Sequence, residues 1–212
     1  MNKELFIEET KKLGINLTEK QLSQLEKYYE LLTEWNEKIN LTRIIEKEDV
    51  YLKHFYDSLT LTKVIDLNKD LTLCDVGTGA GFPGIVLKIA YPNLKITLID
   101  SLQKRVNFLN EVIKKIELNN IDAIHTRAED CKEKFDIVTS RAVANLKKLS
   151  EYSLPLTKDN GYFIPMKANV DEELEEANNT LKKLHGKLVR KETFKLPIEE
   201  SIRNILLIKK EN

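Results

Sequence analysis

The chain has 212 residues, 42% of them hydrophobic and 32% charged, the balance of an ordinary folded domain rather than a disordered or fibrous chain. Basic and acidic residues number 34 each, so a polyanionic partner would have to be met by a local cluster of cations rather than by the field of the whole molecule. No apolar run approaches the ~18 residues of a membrane span, the opening Met1-Asn2-Lys3-Glu4-Leu5-Phe6 lacks a signal peptide's apolar region, and the two cysteines, Cys74 and Cys131, match no metal spacing.

The first sixty residues read as helices. Residues 3–13 predict a short one stopped by Gly14. Thr18 with Gln21 then forms a capping box, and Leu17 against Leu22 a hydrophobic staple. Leu22, Leu25, Tyr29, Leu32, Trp35 or Asn36, and Ile39 recur at helical spacing as far as about Asn40. Tyr28, Tyr29 and Trp35 are read as packing residues. Two polar stretches follow, Asn40-Leu41-Thr42-Arg43 and His54-Phe55-Tyr56-Asp57-Ser58-Leu59. Taken alone, Asp57 or Ser58 fits a helix cap and His54 a satisfied structural histidine.

An apolar strand over Leu71 to Val76 then runs into Gly77, Gly79 and Gly81, and a helix is expected from about Pro83 to Ala90. Strand, glycine loop and helix open a nucleotide-binding α/β fold, because glycines let ligand and backbone approach closely. Three details argue against a dinucleotide. The third glycine of the pyrophosphate fingerprint would fall at position 82, which is Phe82. Asp75 places a negative charge beside any phosphate. Pro83 removes a backbone N–H from the first helical turn. S-adenosylmethionine, with a sulfonium and an ammonium and no phosphate, suits these residues better.

Beyond the loop, strands and helices alternate. Strands are predicted at Lys95 to Ile99, Ile121 to His125, Phe135 to Thr139 and Gly161 to Met166. Ser101 is positioned to cap a helix whose face is Leu102, Val106, Leu109, Ile113 and Ile116, and further helices fit Asn145 to Leu154 and Val170 to Leu184. Lys187 to Phe194 and Ile202 to Lys209 are expected to pair antiparallel as a hairpin-like edge. The pattern implies a doubly wound, mostly parallel sheet with its site at the strands' C-terminal ends.

Asp100, ending the strand after the glycine loop, is placed to accept hydrogen bonds from ribose hydroxyls. Arg127-Ala128-Glu129-Asp130 follows the third strand, where an amide and a carboxylate suit an adenine edge. The fourth strand ends in Thr139-Ser140-Arg141-Ala142. It lacks the Asn or Asp, prolines and aromatic that hold a flipped base for amino-group methylation, and no Pro-Cys nucleophile is present. A ring nitrogen with a free lone pair would need neither device.

Trp35-Asn36, Asn40-Leu41-Thr42, His54 with Asp57-Ser58-Leu59, Asp75 through Gly84, Arg127-Ala128-Glu129 and Ser140-Arg141-Ala142 together resemble the glucose-inhibited division protein B family, the ribosomal small-subunit RNA methyltransferases G. The resemblance implies a Rossmann-like methyltransferase sheet over residues 65–212 with an N-terminal helical extension over residues 1–64. It implies transfer of methyl from S-adenosylmethionine to N7 of a guanosine in 16S ribosomal RNA, without a general base. Asp75, Gly77, Gly79, Phe82, Asp100, Ala128, Glu129 and Arg141 are the expected cofactor residues, with Arg141 positioning; His54, Lys167 and Arg203 are expected to face RNA. Ala168 departs from the glycine the family pattern leads one to expect after Lys167. The expected partner is small-subunit RNA or the small subunit, met by a cytoplasmic monomer with no membrane and no metal. Two other classes remain: a nicotinamide-dependent reductase, which would need the missing glycine, and a non-catalytic RNA-binding assembly factor.

Overall fold

The computed structural model describes residues 1–141 and 144–212; Ala142, the last residue of the Ser-Arg-Ala signature, lies outside them. β1 (Thr72–Val76) pairs in parallel with β2 (Lys95–Asp100) on one side and β4 (Phe135–Arg141) on the other. β3 (Ile121–His125) extends the parallel sheet beyond β2, and β5 (Thr157–Lys167) extends it beyond β4. The strand order is β3-β2-β1-β4-β5-β7-β6, so neighbours change direction of travel between β1 and β4. That switch point is where a doubly wound sheet opens a crevice at its C-terminal ends.

β7 (Ile202–Lys210) pairs antiparallel with both β5 and β6 (Gly186–Lys195). The expected antiparallel pair is present, but only β6 is an edge. Asn204 to Ile208 are buried on β7, and a strand so apolar needs a partner on each side. β5 begins earlier than its apolar run suggests, because the polar segment from Thr157 joins β4 across a register shift between Phe135 and Ile137.

Side chains of alternate parity fill two cores, one on each face of the sheet. Cys74, Val76, Val138, Phe163 and Leu206 face α7 (Leu146–Ser153) and α8 (Asp171–Lys183). Leu73, Leu98, Ile137 and Ile164 face α5 (Gly84–Ala90), α6 (Gln103–Lys115) and the N-terminal helices. Ser101 does not cap α6. The Asp100 carboxylate takes the Leu102 amide instead, at 2.9 Å.

α1 (Lys3–Lys12) and α2 (Glu19–Ile39) have the expected ends. Thr18 and Gln21 complete the capping box, and Asn40 closes α2 in a left-handed conformation (φ 50°). α2 then docks by more than apolar contact. Gln21 donates to the Ile89 carbonyl and Gln24 to the Ile116 carbonyl, both at 2.7 Å, satisfying the ends of α5 and α6. Trp35 packs on Phe108 of α6 with ring centroids 5.7 Å apart.

Residues 47–63 form one continuous helical run: α3 (Lys47–Val50), a π turn (Tyr51–Tyr56), α4 (Asp57–Leu59) and a 3₁₀ turn (Thr60–Lys63). Asp57 and Ser58 therefore cap nothing. Ser58 bonds back to the His54 carbonyl at 2.5 Å, and the carboxylate of Asp57 is used elsewhere.

Candidate functional site

The glycine loop leaves β1 at the switch point. Gly79 (φ 61°) and Gly81 (φ 97°) are left-handed, a conformation costly for residues with a Cβ. Their surroundings differ. A Cβ on Gly79 would meet nothing within 4 Å, since it would stand in the open cleft; one on Gly81 would lie 2.6 Å from the Tyr28 hydroxyl. Tyr28 is fully buried and donates that hydroxyl to the Ala80 carbonyl. Its ring lies 5.5 Å from Phe55 and 5.4 Å from Phe82. Reading it as a packing residue missed that α2 holds the loop from below, and the helical face read from the sequence ran through Tyr29 where the structure buries Tyr28 and Leu31.

Asp75 corrects an expectation. It does not line the cleft. Its buried carboxylate lies beneath the loop, accepting from the Thr78 hydroxyl and the Gly84 amide, each at 2.8 Å. Burial pushes its carboxyl up to about 6, against the lowering effect of those two hydrogen bonds. Asp75 shapes the loop, and ligand atoms would meet Gly77 and Gly79 instead. Asp100 does reach the cleft, with its carboxylate accepting from the amides of Gly79 and Leu102 at 2.9 Å.

Arg141, at the end of β4, carries the centre of the site. It donates to the Lys53 carbonyl (2.8 Å), to Asp57 (3.2 Å) and to Nδ1 of His54 (2.8 Å), with its guanidinium 5.2 Å from the Phe82 ring centroid. These bonds use three of its five N–H donors, and two are without a partner among the described residues. Because Arg141 can only donate, His54 Nδ1 accepts, and Nε2–H is left to donate to the Thr42 hydroxyl at 3.0 Å. The His54 ring stacks on Phe82 at 4.3 Å. Burial, with the Arg141 charge beside it, lowers its pKa from 6.5 to about 3. His54 is thus a neutral strut with both nitrogens committed; it lines the second and third hollows with its ring, and its hydrogen-bonding capacity is spent within the protein.

Three contiguous hollows surround this centre. The first, about 300 Å³, is lined by Ile99, Asp100, Thr126, Ala128 and Glu129. The second, about 430 Å³, shares Gly77 and Asp100 with it and adds Gly79, Phe82, Arg105 and Arg141. The third, about 540 Å³, lies beyond Arg141 and His54 and is lined by Lys53, Asp57, Lys167, Glu173 and Arg203 among others. Arg141 and His54 are the wall between the second and third.

Lys167 and Arg203 both line the third hollow, but neither is a free cation. Lys167 pairs with Glu173 at 2.8 Å and donates to the Ala144 carbonyl at 2.6 Å, its side chain only 9% exposed. Glu173 also accepts from the Leu146 amide, so it ties α7, α8 and β5 together; nothing in the sequence marked it. Arg203 Nε lies 3.3 Å from the second oxygen of Asp57. That oxygen has no partner in hydrogen-bond geometry among the described residues. The basic cluster of Lys182, Lys183, Lys187, Arg190 and Lys191 is also partly neutralised, with Lys187, Arg190 and Lys191 each paired to a surface acid.

The residues present fit a methionine-bearing nucleoside. The open floor at Gly79 would take a ligand where any Cβ would intrude. Asp100 offers acceptors between the first two hollows, and Ile99 with Ala128 gives the first an apolar lining. Arg141 and Arg105 would face an anionic end in the second.

The family described as GidB, rRNA small subunit methyltransferase G, matches residues 21–203. A ribosomal RNA small subunit methyltransferase G of Bacillus velezensis is 51% identical, over 99% of this chain and 91% of that protein. One from Lysinibacillus sphaericus is 49% identical with the same coverage. Among solved structures, a SAM-dependent methyltransferase from Aquifex aeolicus matches with TM-score 0.57 at 20% identity, over 78% of this chain and 94% of that one. TYW2 of M. jannaschii in complex with AdoMet matches with TM-score 0.54 at 22% identity, covering 67% and 68% of the two chains. These structural likenesses concern the fold.

Proposed function

We propose a reaction for this chain, which belongs to the rRNA small subunit methyltransferase G family: transfer of a methyl group to N7 of a guanosine in 16S ribosomal RNA. It is an S-adenosylmethionine-dependent rRNA methyltransferase. The cofactor supplies an electrophilic methyl group; every other requirement falls on the chain. The observation that supports the N7 assignment is that the hydroxyls and the histidine at the wall between the two larger hollows are committed to other partners, while the Asp57 carboxylate is held between the guanidinium groups of Arg141 and Arg203. Thr139 already donates to the Ile164 carbonyl and Ser140 to the Val76 carbonyl, both at 2.8 Å. His54 is neutral with both nitrogens occupied. A hydroxyl or amine would need a base there, whereas guanine N7 offers an in-plane lone pair. Catalysis then rests on alignment. Methylation leaves the guanine cationic, and the pairing of Arg141 with Asp57 offsets the like charge it would otherwise meet.

In this reading Asp100 holds the ribose, Ala128 and Glu129 the adenine, Gly77, Gly79 and Phe82 the floor, and Arg141 the methionine carboxylate. The target base enters the third hollow, flanked by Lys167 and Arg203. Residues 1–64 act as an extension that props the cofactor loop of a methyltransferase domain over residues 65–212, in a cytoplasmic monomer. Small ribosomal subunits from a strain without this enzyme should accept one tritiated methyl group. Borohydride reduction and aniline scission, which break the strand at 7-methylguanosine, should then cut the 16S chain at one position. Label without scission would reject N7, and no label would reject the activity.

A further inference from the structure

The first hollow offers polar groups suited to the edge of a base. Ala128 and Glu129 bring an amide and a carboxylate, and these can meet a purine only at its rim, where its donors and acceptors lie. The two faces of a purine gain instead from apolar or aromatic cover. Val76 and Ile99, both buried, supply aliphatic surface. Tyr152, in the last turn of α7, lines the same hollow, and among the described lining residues its ring is the only aromatic one.

The fold delivers that ring for a local reason. Asn145 caps α7 by accepting from the Lys148 amide at 2.9 Å, and Leu146 and Leu149 anchor the helix in the core. Tyr152 stands three residues beyond Leu149, on the neighbouring part of the same face; it is half-buried and packs against that core. α7 also packs on the 3₁₀ turn Ala128–Asp130, which brings the tyrosine to the hollow that Ala128 and Glu129 line. Lys148 Nζ lies 5.7 Å from the ring centroid. A ring held by core and lysine loses little freedom when a ligand arrives. Packing at a helix edge asks for an apolar side chain of any shape, whereas flat cover for a base asks for a ring.

We propose that Tyr152 is a cofactor-binding residue whose ring covers a face of the adenine of S-adenosylmethionine. This rests on the reading above that puts adenine in the first hollow. Adenine is remote from the bond that breaks, and it is the same in the cofactor and in the by-product S-adenosylhomocysteine. Tyr152 therefore holds both ligands alike, as uniform binding.

Calorimetry on the full chain with each of these two ligands compares wild type, Tyr152→Ala, Tyr152→Phe and Glu129→Ala. Tyr152→Ala should raise both Kd values by about tenfold, within the range for removing an aromatic from beneath a base, and by the same factor for each ligand. Tyr152→Phe, which keeps the ring, should recover most of that loss. If Tyr152→Ala does not fold, Tyr152→Gln, a good helix former without a ring, carries the same expectation. Wild-type Kd values in the ringless variant beside a weakened Glu129→Ala would overturn the proposal and leave adenine where it is placed. Wild-type values in both would overturn that placement, and the proposal with it. Equal losses in Tyr152→Ala and Tyr152→Phe would make the hydroxyl responsible and refute the ring. A loss for S-adenosylmethionine alone would put Tyr152 at the methyl group and overturn the proposal too.

Discussion

Replacing His54 with glutamine separates two things a histidine in a catalytic cleft can do. The ring is buried, neutral, and bonded at both nitrogens to Arg141 and Thr42. Glutamine supplies an oxygen for Arg141 and an N–H for Thr42 but does not titrate. Since the folded pKa drops from 6.5 to about 3, the unfolded chain binds a proton that the folded chain refuses between those values. His54 therefore contributes stability that is fully present above pH 6.5 and lost as pH falls toward 3. The loss runs at about 1.4 kcal/mol per pH unit, or about 2 kcal/mol by pH 5. Asp75 acts oppositely: its carboxyl is raised to about 6, so it favours the folded state as pH falls below that value. Its effect is common to both proteins and cancels in the difference. Urea unfolding at pH 7.5 and pH 5 should show wild type losing about 2 kcal/mol more than His54→Gln. The single-turnover methylation rate of both should be flat between about pH 6.5 and 8.5, because neither carries a base that titrates there. Equal acid losses in the two proteins would show that His54 protonates freely in the fold. A rate rising tenfold per pH unit in wild type alone would restore it as a general base and defeat the N7 mechanism.

Asp100→Ala removes the acceptor of the Gly79 and Leu102 amides and should weaken S-adenosylmethionine binding by about 1.5–3 kcal/mol with the fold intact; unchanged affinity by calorimetry would take Asp100 out of the site. Gly81→Ala, with its Cβ 2.6 Å from Tyr28 and 2.7 Å from Ile85, should lower the melting temperature more than Gly79→Ala, whose methyl enters open cleft and should mainly weaken cofactor binding. Melts and titrations giving the reverse order would refute this division of labour. Arg203→Ala, whose guanidinium touches Asp57 only through Nε and is 23% exposed, should flatten the dependence of log K for RNA on log salt, by about one unit for a full phosphate contact. Lys167→Ala, whose charge is already paired with Glu173, should leave the slope nearer wild type and melt earlier. Equal slope changes would mean that the Lys167 pair opens for RNA.

What could be read from the chain divides by sequence distance. The β1–glycine loop–α5 unit, the capping box of α2 and the alternation of β2 to β5 are set by residues within a few positions of one another, and patterning exposes them. Asp57 is different. Nothing near it explains a carboxylate inside a helix; its partner Arg141 lies 84 residues away, and alone it looks like a cap. Lys167 misled in the same way, since a lysine after an apolar strand suggests a free cation until Glu173 is seen beside it. Ser101 lost its capping role to a neighbour whose carboxylate already faced the Leu102 amide. Tyr28 was legible as buried, but its hydroxyl's target, 52 residues on, was not. Propensity reaches as far as the local hydrogen bond, whereas the site is made of pairs that only the folded sheet brings together.

The seam between α2 and α6 contains the chain's single tryptophan. Its emission is therefore an intrinsic optical gauge of one docking event, with no label required. Far-ultraviolet ellipticity averages over every helix and strand, whereas Trp35 reports whether α2 still lies against Phe108. A red shift that runs ahead of the loss of ellipticity would time the release of α2, and with it the release of Tyr28 from beneath the glycine loop. Coincident signals would mean that the loop keeps its support until the whole molecule melts.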